Sequence, residues 1–95
     1  MKALKNVHVE NMMNFGGTRE VPNQFIIHTP EGRFFQSYDS IIVHKTNDGK
    51  TILDKNFWDY SVTTTKYRNR FLGETTAETR KKIKAGIYKL ADLNN

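Results

Sequence analysis

The chain has 95 residues, no cysteine and a formal net charge of +5. A chain this short supports one domain, 1–95, and its 37% hydrophobic and 12% aromatic residues are enough for a small core, while 26% charged residues with only two prolines argue against general disorder. The missing cysteines exclude disulfides, thiolate metal sites and cysteine nucleophiles; no apolar run reaches the ~20 residues of a membrane-spanning helix and Met1-Lys2 leads into no signal-peptide core, so a cytoplasmic protein with no membrane partner is expected.

From Leu4 to Glu10, Val7 and Val9 alternate with Asn6, His8 and Glu10, a period of two that predicts a short, half-buried strand. Asn11 to Pro22 breaks the pattern around Gly16-Gly17 and predicts a long loop. Its Met12, Met13 and Phe15 either tuck under the loop or form an exposed apolar tip. Gln24–His28 and Arg33–Tyr38 are β-rich runs on either side of Thr29-Pro30-Glu31-Gly32, where proline presets the bend and glycine accepts positive φ; this predicts a hairpin. Ser40–Lys45 and Lys50–Asp54 around Thr46-Asn47-Asp48-Gly49 predict a second.

Phe57 to Thr65 carries both periods: Trp58, Tyr60, Val62 and Thr64 alternate as in a strand, whereas Tyr60, Thr64, Tyr67 and Phe71 recur at helical spacing behind Ser61 as N-cap. The expectation is a strand end near Trp58, then a helix from Val62 to Leu72 stopped by Gly73. Thr75-Thr76-Ala77-Glu78 is a capping box for a second helix, with Glu78 and Lys82 as an i,i+4 pair, Thr79 and Ile83 facing inward and Gly86 closing it. Ile87–Leu90 then returns as a last strand. The fold class expected is α+β: a small antiparallel sheet of four to five strands with two short C-terminal helices.

Charge divides unevenly along this plan. Residues 1–60 hold seven basic and seven acidic side chains; residues 61–95 hold eight basic and three acidic, so the whole net charge lies in the last third. A local positive field of this kind suits nucleic acid or an acidic protein surface.

Catalytic and metal motifs are missing. His8, His28 and His44 fall on separate strands without the spacing that places two imidazoles on one helix face. Asn47-Asp48-Gly49 resembles the middle of a calcium loop, but His44 and Thr46 replace the preceding oxygen ligands and Lys55 stands where a glutamate is required. Gly16-Gly17-Thr18 lacks the lysine of a phosphate loop, and there is no nucleophile elbow. The expectation is a protein that is not an enzyme and carries no cofactor and no metal.

The candidate partner-binding or nucleic-acid-binding set is Lys66, Arg68 and Arg70 on the first helix and Arg80, Lys81 and Lys84 on the second, with Trp58 and Tyr67 from the aromatic stripe. If the helices pack side by side, their basic flanks merge into one surface able to neutralise several phosphates, with a log–log salt slope of roughly −0.9 per contact. A base-reading helix-turn-helix fits poorly, because Arg68, Asn69, Glu74 and Lys82 fall where such a motif needs small or apolar packing. Phe34-Phe35 and Phe57-Trp58, if extended, point to opposite sheet faces, so one of each pair meets a second apolar layer, solvent or a partner. This favours a recognition surface or a homodimer.

Tyr38, Trp58-Asp59-Tyr60-Ser61, Thr63-Thr64, Lys66-Tyr67, Phe71-Leu72-Gly73, Glu78-Thr79, Ile83, Gly86 and Tyr88 together give the segment Ser37 to Leu90 a pattern that resembles a family of short, uncharacterised proteins of bacteriophages and prophages. The resemblance implies a phage setting in a bacterial host and a non-enzymatic accessory role, without catalytic residues to carry over. The function expected first is binding to a host protein or nucleoprotein machine, to inhibit or redirect it in the manner of an anti-defence or anti-CRISPR protein. The alternatives are a sequence-tolerant DNA- or RNA-binding protein and a structural protein of the virion or its assembly.

Overall fold

The computed structural model describes residues 6–95. Six strands form one sheet in chain order: β1 (His8–Met13), β2 (Glu20–Thr29), β3 (Gly32–Ser37), β4 (Ser40–Thr46), β5 (Thr51–Asp54) and β6 (Tyr88–Ala91). Two helices, α1 (Val62–Leu72) and α2 (Thr76–Lys84), lie between β5 and β6 in the chain. The protein is therefore α+β, but the sheet is larger than expected and mixed. β1 to β5 are an antiparallel meander, whereas β6 runs parallel to β5. The reversal has a simple cause. A parallel neighbour needs a long crossover connection rather than a tight hairpin, and the two helices between β5 and β6 supply it.

The two central hairpins form where the turn chemistry places them. At Gly32 φ is 122°, and a Cβ there would lie 2.1 Å from the Lys45 carbonyl oxygen, so only glycine lets β3 approach β4. The first strand differs from expectation. Of the proposed Leu4–Glu10, Leu4 and Lys5 lie outside the described residues, and the strand continues to Met13; the expected long loop contracts to a turn between Met13 and Glu20. Asn14 organises that turn, its Oδ1 accepting from the backbone N–H of Thr18 at 2.9 Å. Hydrophobic alternation conceals the extension because β1 is an edge strand in which Met12 alone is buried.

Ile26, Phe35, Val43 and Leu53 lie abreast on neighbouring strands, and the last three are fully buried. A register shift opposite Phe35 and Gln36 lets the consecutive residues Ile42 and Val43 both be buried, which strict alternation forbids. Over this layer α1 lays Tyr67 and Phe71, the latter stacked on Phe35 with centroids 5.8 Å apart. A buried hydrogen bond of 2.8 Å between the hydroxyls of Ser37 and Thr64 fixes the other end of the helix.

Both helices start and stop as their sequence signals require. Ser61 Oγ accepts from the Thr64 N–H and Gly73 ends α1 at φ 71°; Thr75 and Glu78 complete the capping box of α2. Thr79 is buried and Ile83 packs on the core. The expected Glu78–Lys82 pair does not form: Glu78 is engaged by the cap, and Lys82 Nζ donates to Glu74 at 2.7 Å. Trp58 is not at a strand end either. It lies in the turn after β5, where the Asp54 carboxylate accepts from the N–H groups of Asn56 and Phe57 at 3.0 and 2.9 Å.

Candidate functional site

Lys66, Tyr67 and Arg70 occupy one flank of α1, and the β1–β2 turn brings Phe15 against them. The rings of Phe15 and Tyr67 stack with centroids 6.3 Å apart and planes at 23°. Lys66 Nζ lies 4.9 Å and the Arg70 guanidinium carbon 4.6 Å from the centre of the Phe15 ring. Each such contact contributes about 0.5–1 kcal/mol at an exposed site. Arg70 Nη1 also donates to the Met13 carbonyl, which ties the helix to the turn. Tyr67 is buried, whereas Phe15 remains 65% exposed. Beside it a cavity of about 430 Å³ is lined by Arg19, Glu20, Val21, Pro22, Lys66 and Tyr67, among others. Among the described residues, Arg19, Lys66 and Arg70 form no salt bridge. The result is an exposed aromatic ring with two cations close to it and a third lining the adjoining cavity.

The other flank of α1 is arranged differently. Two residues advance ~200° around a helix, so Arg68 leaves on the side opposite Lys66 and Arg70. It is fully buried, which corrects its place in the candidate surface. Its Nη1 donates to the Trp58 carbonyl at 2.5 Å, and its Nη2 to Asn69 Oδ1 and Thr76 Oγ1 at 2.8 and 2.9 Å. Burial pulls its pKa below the ordinary arginine value against the opposing fields of Asp59 and Glu74. The Trp58 ring is half-buried between the guanidinium groups of Arg68 and Arg80, at 5.1 and 5.6 Å, and Arg80 pairs with Asp59 at 3.1 Å. These side chains join the helices to the turn after β5, and α2 rests on β6.

The single merged flank is thus not formed. Lys66, Arg70 and Tyr67 come together on the Phe15 side. Arg80 and Trp58 gather around buried Arg68, and Lys81 and Lys84 are exposed on α2.

The family model described as a family of unknown function (DUF8033) matches residues 4–86. The chain belongs to this family. No curated protein and no solved structure matches it. The DUF8033 match takes in Phe15, Lys66, Tyr67 and Arg70 together with both helices, and ends before β6.

Sequence reasoning placed Phe15 only as a loop residue and did not include Arg19 or the pair Arg33 and Lys45. Register brings His28, Arg33 and Lys45 abreast on β2, β3 and β4, beside a hollow of about 330 Å³. Arg33 and Lys45 both lie over the Phe71 ring, at 5.4 and 6.0 Å. The two hairpin turns imply this alignment, whereas nothing local shows that α1 ends there.

The Glu74 side chain is a further charge with little exposure, at 5%. Its carboxylate accepts from Lys82 Nζ and Tyr88 OH, both at 2.7 Å, and from the Thr79 hydroxyl at 2.5 Å. Burial pushes its pKa up, but these three donors outweigh it and hold the carboxyl below its ordinary value. This cluster locks the α1–α2 joint to β6. Among the described residues, no three His, Asp or Glu side chains gather closely enough to hold a metal ion, and no helix is long and apolar enough to cross a membrane.

Proposed function

We propose that this DUF8033 protein is a non-enzymatic binding protein whose ligand is single-stranded nucleic acid, taken with little sequence preference at the Phe15–Tyr67–Lys66–Arg70 patch. The observation that supports this most is the exposed Phe15 ring flanked by two cations that have no salt-bridge partner among the described residues. Every base has a π-face, so stacking on Phe15 is tolerant of sequence, while Lys66, Arg70 and Arg19 meet neighbouring phosphates. A duplex keeps its bases stacked internally and offers Phe15 no free face.

The test is a gel-shift series with a single-stranded oligonucleotide and its duplex at ~50 mM salt, where phosphate contacts are strong. A single-strand shift that exceeds the duplex shift supports the reading; no shift with either sinks it.

A second reading is the accessory factor of phage type that blocks or redirects a host machine in a bacterial cytoplasm. Phe15 favours it too, because a protruding aromatic beside arginine is the composition of an interface anchor, and an acidic protein surface complements Lys66 and Arg70. The phage setting rests on the resemblance of Ser37 to Leu90. Affinity purification from host lysate separates the two readings: a protein partner retained after nuclease treatment favours the second, and loss of all partners with nuclease favours the first.

A further inference from the structure

The helices cover one face of the sheet, and the other face carries its own apolar layer. Register places Val9, Ile27, Phe34, His44 and Ile52 side by side from β1 to β5, with Phe25 and Ile41 one pleat along. They point away from the helices, because each alternates with a residue of the helix-side layer: Phe34 with Phe35, Ile27 with Ile26, Ile52 with Leu53. None belongs to the core cluster or packs against it. At the centre, Phe34 stacks on His44 with centroids 4.0 Å apart and planes at 13°.

We infer that this face is the interface of a homodimer, in which two sheets pack back to back and both helix layers face outward. Charge and area identify the occupant as a second copy. The outward positions between these residues are Asn11, Thr29, Gln36 and Thr46; the charged residues nearby are Lys89 at the β6 edge, Lys50 beside Thr46 at the hairpin end and paired with Asp48 at 3.8 Å, and Asp54, buried under its own hydrogen bonds. Two chains of net charge +5 repel each other across their helix sides but meet here without opposing charges. Strands ~4.8 Å apart, with three outward positions on each of β1 to β4 and two on each of β5 and β6, give a face of roughly 500 Å² in projection. Side-chain relief brings its accessible area within reach of the ~800 Å² per partner of a stable interface.

A two-fold axis running along the strands between β3 and β4 sets Phe34 of one copy against His44 of the second and keeps the two Lys89 side chains at opposite edges. Such a dimer presents two Phe15 patches on opposite outer faces, a bivalent binder whether or not the ligand is nucleic acid.

Sedimentation equilibrium of the nuclease-treated full chain tests this. The expected mass is twice the 11.1 kDa of one chain, with a dissociation constant that changes less than twofold when salt rises from about 50 to 500 mM. Phe34→Glu and Ile27→Glu are expected to weaken association at least tenfold while circular dichroism shows the fold retained. A single-chain mass at about 200 µM overturns the inference, even where another protein is found on this face. So does a dimer that dissolves in salt, or one that persists in folded Phe34→Glu. If either glutamate variant fails to fold, the wild-type mass and its salt response still decide.

Discussion

Phe15, on the turn between the first two strands, lies over Tyr67 in the middle of α1, with ring centroids 6.3 Å apart. The buried ring supports the exposed one, and Lys66 and Arg70 reach both rings. The pair converts a distant apolar loop residue and a helix core residue into one patch with a stacking surface and a positive border.

Charge at this border is expected to set the salt dependence of binding. Replacing Lys66 or Arg70 with alanine should lower the slope of log K against log salt by about 0.7 for a single strand, because each variant leaves one phosphate without its cation. Alanine at Lys81 or Lys84 should change it less, since these two residues stand on α2 whereas the cations over the Phe15 ring are Lys66 and Arg70. Titrations at four salt concentrations measure this, and equal slopes for all four variants would place the phosphate-binding residues elsewhere.

Arg68 is expected to behave as a structural residue. Arg68→Met leaves the Trp58 carbonyl, Asn69 and Thr76 without its donors and should cost about 2–4 kcal/mol of stability, read from urea denaturation. The salt slope of binding should be unchanged at a temperature where the variant is folded. A stable variant with a reduced slope would restore Arg68 to the binding surface.

Gln24 is fully buried, and neither end of its amide has a hydrogen-bond partner. Gln24→Met keeps the length of the side chain and removes the unpaired dipole, so it should raise stability by about 1–2 kcal/mol. For a domain of this size that corresponds to a melting temperature several degrees higher. A lower melting temperature would mean the amide is bonded in solution.

Acid and alkali should destabilise the protein from opposite sides of one cluster. The Glu74 pKa is held below its ordinary 4.5, so its contribution is present above that pH and is lost as pH falls through the lower folded value. Lys82 is raised above 10.5, mainly by its hydrogen bond to Glu74, and Tyr88 above 10.0, by burial and then by Glu74; their contributions are complete below those values and are lost as pH rises. Glu74→Gln should flatten both limbs of a stability–pH curve. Limbs as steep as in the wild type would assign the dependence to other groups.

The hairpins around Thr29–Gly32 and Thr46–Gly49, both helices and both helix caps were legible because each rests on residues close in sequence. The parallel return of β6 was not, since strand direction follows from where the helices cross the sheet. The site was legible in part. Lys66, Tyr67 and Arg70 stand out from charge and helical spacing, and Trp58 and Arg80 do lie together. Helical spacing also shows that Arg68 faces away from Lys66, but not that the turn at Trp58 covers it. Phe15 reaches α1 only through the register of β1 and β2, and an edge strand with one buried residue leaves almost no periodic signal for that register.

The most direct measurement is fluorescence anisotropy of a labelled single-stranded oligonucleotide at ~50 mM salt, with the wild-type protein and with Phe15→Ala. Loss of one stacked base at about 1–3 kcal/mol predicts binding weaker by roughly 5- to 150-fold with an almost unchanged salt slope. Equal affinity of the two proteins, or no binding by the wild type, would contradict the assignment of Phe15 as the stacking platform.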